Sequence, residues 1–88
     1  MRLIYSSQFK KDFKRIQSQG KNIFQLQTVI ETLLKKQQLE PRHREHRLAG
    51  KWKNHREYHI ESDWLLIYRF TEEALYLERM GSHAELFQ

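Results

Sequence analysis

The stretch from Trp64 to Phe70, Trp-Leu-Leu-Ile-Tyr-Arg-Phe, is almost unbroken in apolar and aromatic residues, and short acidic connections bound it: Glu61-Ser62-Asp63 before and Thr71-Glu72-Glu73 after. A run of this kind suits a central strand, and connections of this length suit hairpins. Partner strands are therefore expected near 52–60 and over 74–80, in a meander that the rest of the chain must cover.

The N-terminal half supplies that cover. Met1 to Tyr5 alternates around Leu3 and Tyr5 with Ile4 opposite, as a short strand does. Ser6 or Ser7 then caps a predicted helix in which Phe9, Phe13 and Ile16 recur at i, i+4 and i+7, with Lys10, Lys11, Lys14 and Arg15 largely outside the stripe. Gly20 stops it. Asn22 and Gln25 resemble a capping box, and Phe24, Leu26, Val29, Ile30, Leu33 and Leu34 give a second helix a broad apolar face to about Lys36. Composition changes around Pro41, and a loop is expected over 38–50. Gly81 breaks the last strand, and Ser82-His83-Ala84-Glu85 has the spacing that caps a final helical turn ending at Phe87. The predicted fold is α+β, ordered β-α-α-β-β-β, with a helical hairpin packed on a small antiparallel sheet. Residues 1–88 are expected to form one domain, because a chain of 88 residues rarely divides into two cores.

Charge narrows the function. Sixteen Lys and Arg against eleven Asp and Glu leave a formal +5, which favours an anionic partner, nucleic acid being the commonest. Hydrophobic residues at 39% and aromatics at 12% exclude a disordered basic tail. Basic residues concentrate in one segment, at Arg42, Arg44, Arg47, Lys51, Lys53 and Arg56, with Glu45 the single acid among them. There is no cysteine, hence no disulfide framework, thiolate nucleophile or thiolate zinc site. The first 30 residues hold no apolar run long enough for a signal peptide or membrane span, so a cytoplasmic location is expected.

Hairpin geometry brings distant residues together. Turning 52–60 against 64–70 sets His59 near Trp64 or Leu65, and turning 64–70 against 74–80 sets Arg79 near Leu65. His59, Asp63, Trp64 and Arg79 are thus expected at one end of the sheet, with His83 two residues beyond Gly81. Metal-free RNA cleavage needs a base for the ribose 2′-OH, an acid for the 5′-oxygen leaving group and a cation for the phosphate. Histidine and aspartate supply proton transfer, Arg79 can hold phosphoryl oxygens, and Trp64 or Phe87 can stack an unpaired base. The competing reading is that these side chains are ordinary solvated surface, with Trp64 in the core. No metal site is expected: His55 and His59 lie about 13 Å apart on an extended strand, and His43 with His46 lacks further ligands.

The segments His46-Arg-Leu-Ala-Gly-Lys-Trp-Lys53, Arg56-Glu-Tyr-His-Ile60, Asp63-Trp-Leu-Leu-Ile-Tyr68 and Glu78-Arg-Met-Gly-Ser-His83, followed by Leu86-Phe87, resemble the YafQ branch of the RelE-type bacterial toxins. The resemblance implies a ribosome-dependent messenger RNA endonuclease without a cofactor. It also implies neutralisation by an acidic cognate antitoxin, with DNA engaged only through the antitoxin complex. Carried over by position, it implies a catalytic set of His46, His59, Asp63, Arg79 and His83. His83 and Asp63 would serve proton transfer, Arg79 the phosphate, and His46 and His59 positioning or charge stabilisation. Trp64, Phe87, Lys51, Lys53 and Arg56 would meet substrate. ParE-like relatives share the fold and poison DNA gyrase instead, and a non-catalytic basic RNA-binding module is a further alternative.

Overall fold

The computed structural model describes residues 2–35, the backbone of 45–47, and residues 52–87. Strand β1 (Arg2–Tyr5) leads into helices α1 (Ser7–Ser18) and α2 (Ile23–Leu34). Strands β2 (Glu45–Arg47), β3 (Arg56–Glu61), β4 (Trp64–Phe70) and β5 (Ala74–Gly81) follow, and a last turn, α3 (His83–Leu86), closes the order. The expected α+β architecture, a helical hairpin on a small sheet, is what forms.

The local signals act as read. Ser6 caps α1 by accepting the Phe9 N–H at 2.9 Å, and Gly20 ends the helix at φ +74°. Asn22 caps α2, although its side chain accepts from Phe24 N–H and no capping box forms. Ser82 and Glu85 make the full reciprocal box on α3. Among the described residues, no helix is long and apolar enough to cross a membrane.

The sheet runs β1-β5-β4-β3-β2. It departs from the expectation in two ways. First, β2 lies within the predicted loop 38–50, pairing Glu45 with Tyr58, His46 with Glu57 and Arg47 with Arg56. Three polar residues on an edge carry no hydrophobic alternation, so nothing in their pattern announces a strand. Second, the sheet is mixed rather than antiparallel, because β1 pairs parallel to β5. The helical hairpin carries the chain from one sheet edge to the other, and the meander then returns to β1 running the same way.

Residues on β4 explain its unbroken apolar run. Trp64, Leu66 and Tyr68 join the core under α1 and α2, with Phe9, Ile16, Leu26 and Leu33, while Leu65 and Ile67 pack on the opposite face against Leu86 and Trp52. Burial on both faces stabilises by roughly 1.5–3 kcal/mol per large apolar side chain.

Register decides where charged groups emerge. The β3–β4 pairs run from Arg56↔Tyr68 to His59↔Leu65, as the turn geometry predicts. Between β4 and β5 the expected Arg79–Leu65 proximity is off by two residues: Gly81 faces Leu65 and Arg79 faces Ile67. An irregularity between Ile67 and Tyr68, which leaves Glu78 without a pairing partner on β4, accounts for one residue of the offset; the pairs nearest the turn, Phe70↔Leu75 and Arg69↔Tyr76, already lie one residue from the expected register.

Pairing of β1 with β5 stops at Tyr5↔Leu77. Beyond it, side chains of α1 and its cap meet the exposed edge. Ser6 Oγ donates to Glu78 O at 2.6 Å, Asp12 Oδ2 accepts the Met80 N–H at 3.0 Å, and Arg15 Nη2 donates to Met80 O at 2.8 Å. An edge that would otherwise recruit another strand is thereby closed.

Candidate active site

The capping box holds His83 as the first residue of α3, over the end of the sheet. Its backbone N–H donates to Asp63 Oδ1 at 2.9 Å, and its ring Nδ1 lies 2.7 Å from the same oxygen. In the tautomer that donates Nδ1–H to Asp63, Nε2 is the nitrogen that can exchange a proton with a substrate. The His59 ring stands edge-on to it at 5.7 Å, and the exposed Phe87 ring lies 6.3 Å away. His59 is itself held by Glu57, Nε2 to Oε1 at 2.6 Å. The sheet end therefore gathers His59, Asp63 and His83, as hairpin geometry predicts, with Phe87 beside them; of the other two residues expected there, Trp64 is buried and Arg79 is bound to Asp12.

Asp63 sits in solvent with its side chain 65% exposed. The His83 backbone N–H and then its ring hold the Asp63 carboxyl below the usual carboxylate range. A carboxylate kept ionised in this way is a poor proton acceptor at neutral pH. Its geometry suits orienting the His83 ring.

Trp64 requires a correction. Its side chain is wholly buried in the helix-side core, so its face is closed to an RNA base. An unbroken apolar strand offers two faces, and the pattern alone does not say which one Trp64 takes. Phe87, 41% exposed beside His83, is the aromatic at this end that a base can reach.

Arg79 is held in a hub around the buried Asp12. Its Nε donates to Asp12 Oδ2 at 2.8 Å and its Nη2 to Asp12 Oδ1 at 3.1 Å. Arg15 Nη1 donates to the same Oδ1 at 3.0 Å, and Arg15 Nε lies 2.8 Å from Glu85 Oε2. Burial pushes the Asp12 pKa upward, but bonds from Arg79, the Met80 N–H and Arg15 outweigh it, and the group stays ionised below its ordinary range. The Arg79 pKa moves up, chiefly through its bonds to Asp12. At Gly81 a Cβ would stand 2.7 Å from Arg15 Nη2 and 2.9 Å from Glu85 Oε1, so a larger residue there would displace those side-chain ends from the hub.

The hub was missed by residue pattern, although one signal exists. Asp12 falls three residues after Phe9 and four before Ile16, inside the apolar stripe of α1, where a charge is out of place unless partnered. A grouping that spacing along the strand does not foresee lies beside this site. One ligand atom each from Glu57, His59 and His83 lies within 4.8 Å of the others, close enough to share a divalent cation. Glu57 and His59 alternate on one strand while His83 arrives from α3, so spacing along a single strand does not reveal the set.

Of the remaining predicted residues, Arg56 starts β3 opposite Tyr68 and Lys53 is exposed in the preceding turn. His46 lies on β2 opposite Glu57, its side chain outside the described residues, as is Lys51.

Comparison with known proteins agrees with the fold. A family model described as a bacterial toxin of type II toxin-antitoxin systems, YafQ, matches residues 1–88. The mRNA interferase toxin YafQ of Escherichia coli K12 is 39% identical over 84 residues, covering 94% of this chain and 91% of the relative. A copper-bound mutant toxin from Helicobacter pylori superposes with a TM-score of 0.94 at 42% identity over 99% of both chains. The Escherichia coli DinJ-YafQ complex matches with a TM-score of 0.91 at 38% identity over 100% of both chains. Fold and matches define a toxin of the type II toxin-antitoxin class. Within that class, the chain belongs to the YafQ family.

Proposed function

We propose that this chain is a toxin that cleaves messenger RNA on the ribosome and is held inactive by an acidic cognate antitoxin. The observation that carries the reading is the exposed His83 ring, oriented by Asp63 and flanked by His59 and Phe87. The name of the Escherichia coli relative and its complex with DinJ support the nuclease activity and the antitoxin.

In this mechanism the ribose 2′-OH gives its proton to a base at this sheet end as its oxygen attacks the adjacent phosphorus, and the bond to the 5′-oxygen breaks. The products are a 2′,3′-cyclic phosphate and a 5′-hydroxyl. His83 gives a proton to the leaving 5′-oxygen, since imidazole is the side chain suited to acid work near neutral pH. Asp63 fixes the ring, and His59, backed by Glu57, faces the 2′-OH side. Arg79 stabilises charge on the phosphoryl oxygens and Phe87 stacks a base. His46, Lys51, Lys53 and Arg56 extend a basic surface along the RNA, so binding weakens as salt rises. The reaction needs no metal, and the protein acts in the cytoplasm, where translated message is found.

Primer extension on a translated message, with and without the protein, tests this reading. New stops inside the coding sequence, at ends carrying a 5′-hydroxyl, are expected. Intact message together with gyrase-dependent DNA breaks would transfer the chain to the ParE-like reading, and 5′-phosphate ends would reject 2′-OH attack.

A further inference from the structure

We propose that Asp12, on α1, is the positioning residue that aims Arg79 at the scissile phosphate, an inference that rests on the nuclease reading above. Asp12 itself touches no substrate. Its side chain has no exposed surface, and all four of its hydrogen bonds go to the strand and helix around Arg79.

Replacing Asp12, Arg15 and Arg79 together by apolar residues would hold α1 against β5 without the desolvation that an ion pair has to offset, so packing alone does not account for the charged set. What the carboxylate adds is direction. Two of its four bonds fix the guanidinium through Nε and Nη2, and a third fixes the backbone N–H of Met80, the next residue on the strand. A long arginine side chain otherwise distributes over many rotamers, whereas a planar fork held on one edge keeps its other donors at a set place. Among the described residues, Arg79 Nη1 makes no hydrogen bond, which leaves it for a phosphoryl oxygen.

Arg15 joins this hub to the turn that carries His83. It donates to Asp12 and to Met80 O, and it pairs with Glu85, whose other oxygen accepts the Ser82 N–H that caps α3. The proposed phosphate-binding cation and the proposed acid are thus referenced to one carboxylate.

The test is a mutant cycle, Asp12→Asn with Arg79→Lys, read by single-turnover cleavage on programmed ribosomes and by ribosome binding. Each single variant is expected to cleave roughly 10- to 100-fold more slowly than the parent while binding is retained, as misplacement of a reacting group does. The double variant should be no slower than the slower single, because both changes remove one interaction. A folded Asp12→Asn that cleaves at the parent rate would overturn the proposal. So would multiplicative losses in the double variant, or a binding loss as large as the rate loss. If Asp12→Asn does not fold, Asp12→Glu replaces it: the longer carboxylate keeps the charge but shifts the fork, so a folded variant that binds ribosomes and cleaves roughly tenfold or more slowly supports the proposal, and a parent-like rate overturns it. A parent protein that cleaves no message removes the nuclease reading and this inference together. A cleaving parent matched by Asp12→Asn removes the inference alone.

Discussion

Asp12 and Asp63 are carboxylates whose pKa values are displaced in the same direction, in opposite surroundings. Asp12 has no exposed side-chain surface and satisfies its oxygens with two guanidinium groups and a backbone N–H. Asp63 stands in water and, among the described residues, hydrogen-bonds only with His83. Ionisation inside the core is maintained by saturating every lone pair, since a half-satisfied buried charge is unfavourable. Ionisation at the surface needs only a neighbour. The buried carboxylate therefore couples to the stability of the whole fold, and the exposed one couples to the orientation of one ring.

The largest consequence is thermodynamic. Asp12→Ala leaves Arg15 and Arg79 without their shared anion and should destabilise the fold by about 3–5 kcal/mol. That is a large part of the roughly 5–15 kcal/mol typical of a domain. Urea unfolding measures it, and Asp63→Ala should leave the midpoint nearly unmoved. Equal shifts in the two variants would erase the distinction between hub and surface dyad.

His83→Gln sharpens the other half of the contrast. It should slow single-turnover cleavage by roughly 10²- to 10⁴-fold, the range for loss of a general acid. Ribosome binding and thermal stability should change little. A variant that instead unfolds would make His83 a structural residue.

Acid separates the two sites by a titration. The folded pKa of Asp12 lies below its unfolded value, so its contribution is fully present above the unfolded pKa, about 3.9. It is lost as pH falls through the folded value, because the unfolded state takes up the proton first. Urea midpoints measured from pH 6 to pH 2 should fall for the parent and fall less for Asp12→Asn. Asp63 acts with the same sign, but its contribution should fade with added salt, as exposed charges do.

A smaller effect concerns cations at Glu57, His59 and His83. Zinc should bind there and slow cleavage by occupying the imidazoles, and a chelator should restore the rate without abolishing it. Calorimetry with zinc, on the parent and on His83→Gln, measures the site. Absence of binding to the parent would show that proximity of the three groups does not suffice. Smallest of all, His55→Gln should leave cleavage unchanged: His55 contacts Lys53 O, Trp52 and the fringe of Glu78, away from the sheet end.

Much of this molecule is legible in its residues because the signals involved are local. An apolar run between two short connections identifies β4 and its neighbours, and Ser6, Asn22 and Ser82 announce three helix starts through side chains that accept from nearby backbone N–H groups. Turn geometry is also local. It suffices to bring His59, Asp63 and His83 to one end, where an error of a residue or two still leaves them neighbours.

Tertiary structure alone decided the remainder, for one physical reason: each such feature depends on partners far apart in sequence. The pairing of Asp12 with Arg79 spans 67 residues, and an irregularity in β5 that no motif marks determines which residue Arg79 faces. Trp64 turns inward because α1 and α2 cover that face of β4, and β1 runs parallel to β5 because the helical hairpin crosses the sheet before the meander returns. Composition and periodicity determined which side chains can do chemistry. Long-range packing determined which of them are held still, which are exposed, and which are paired before any substrate arrives.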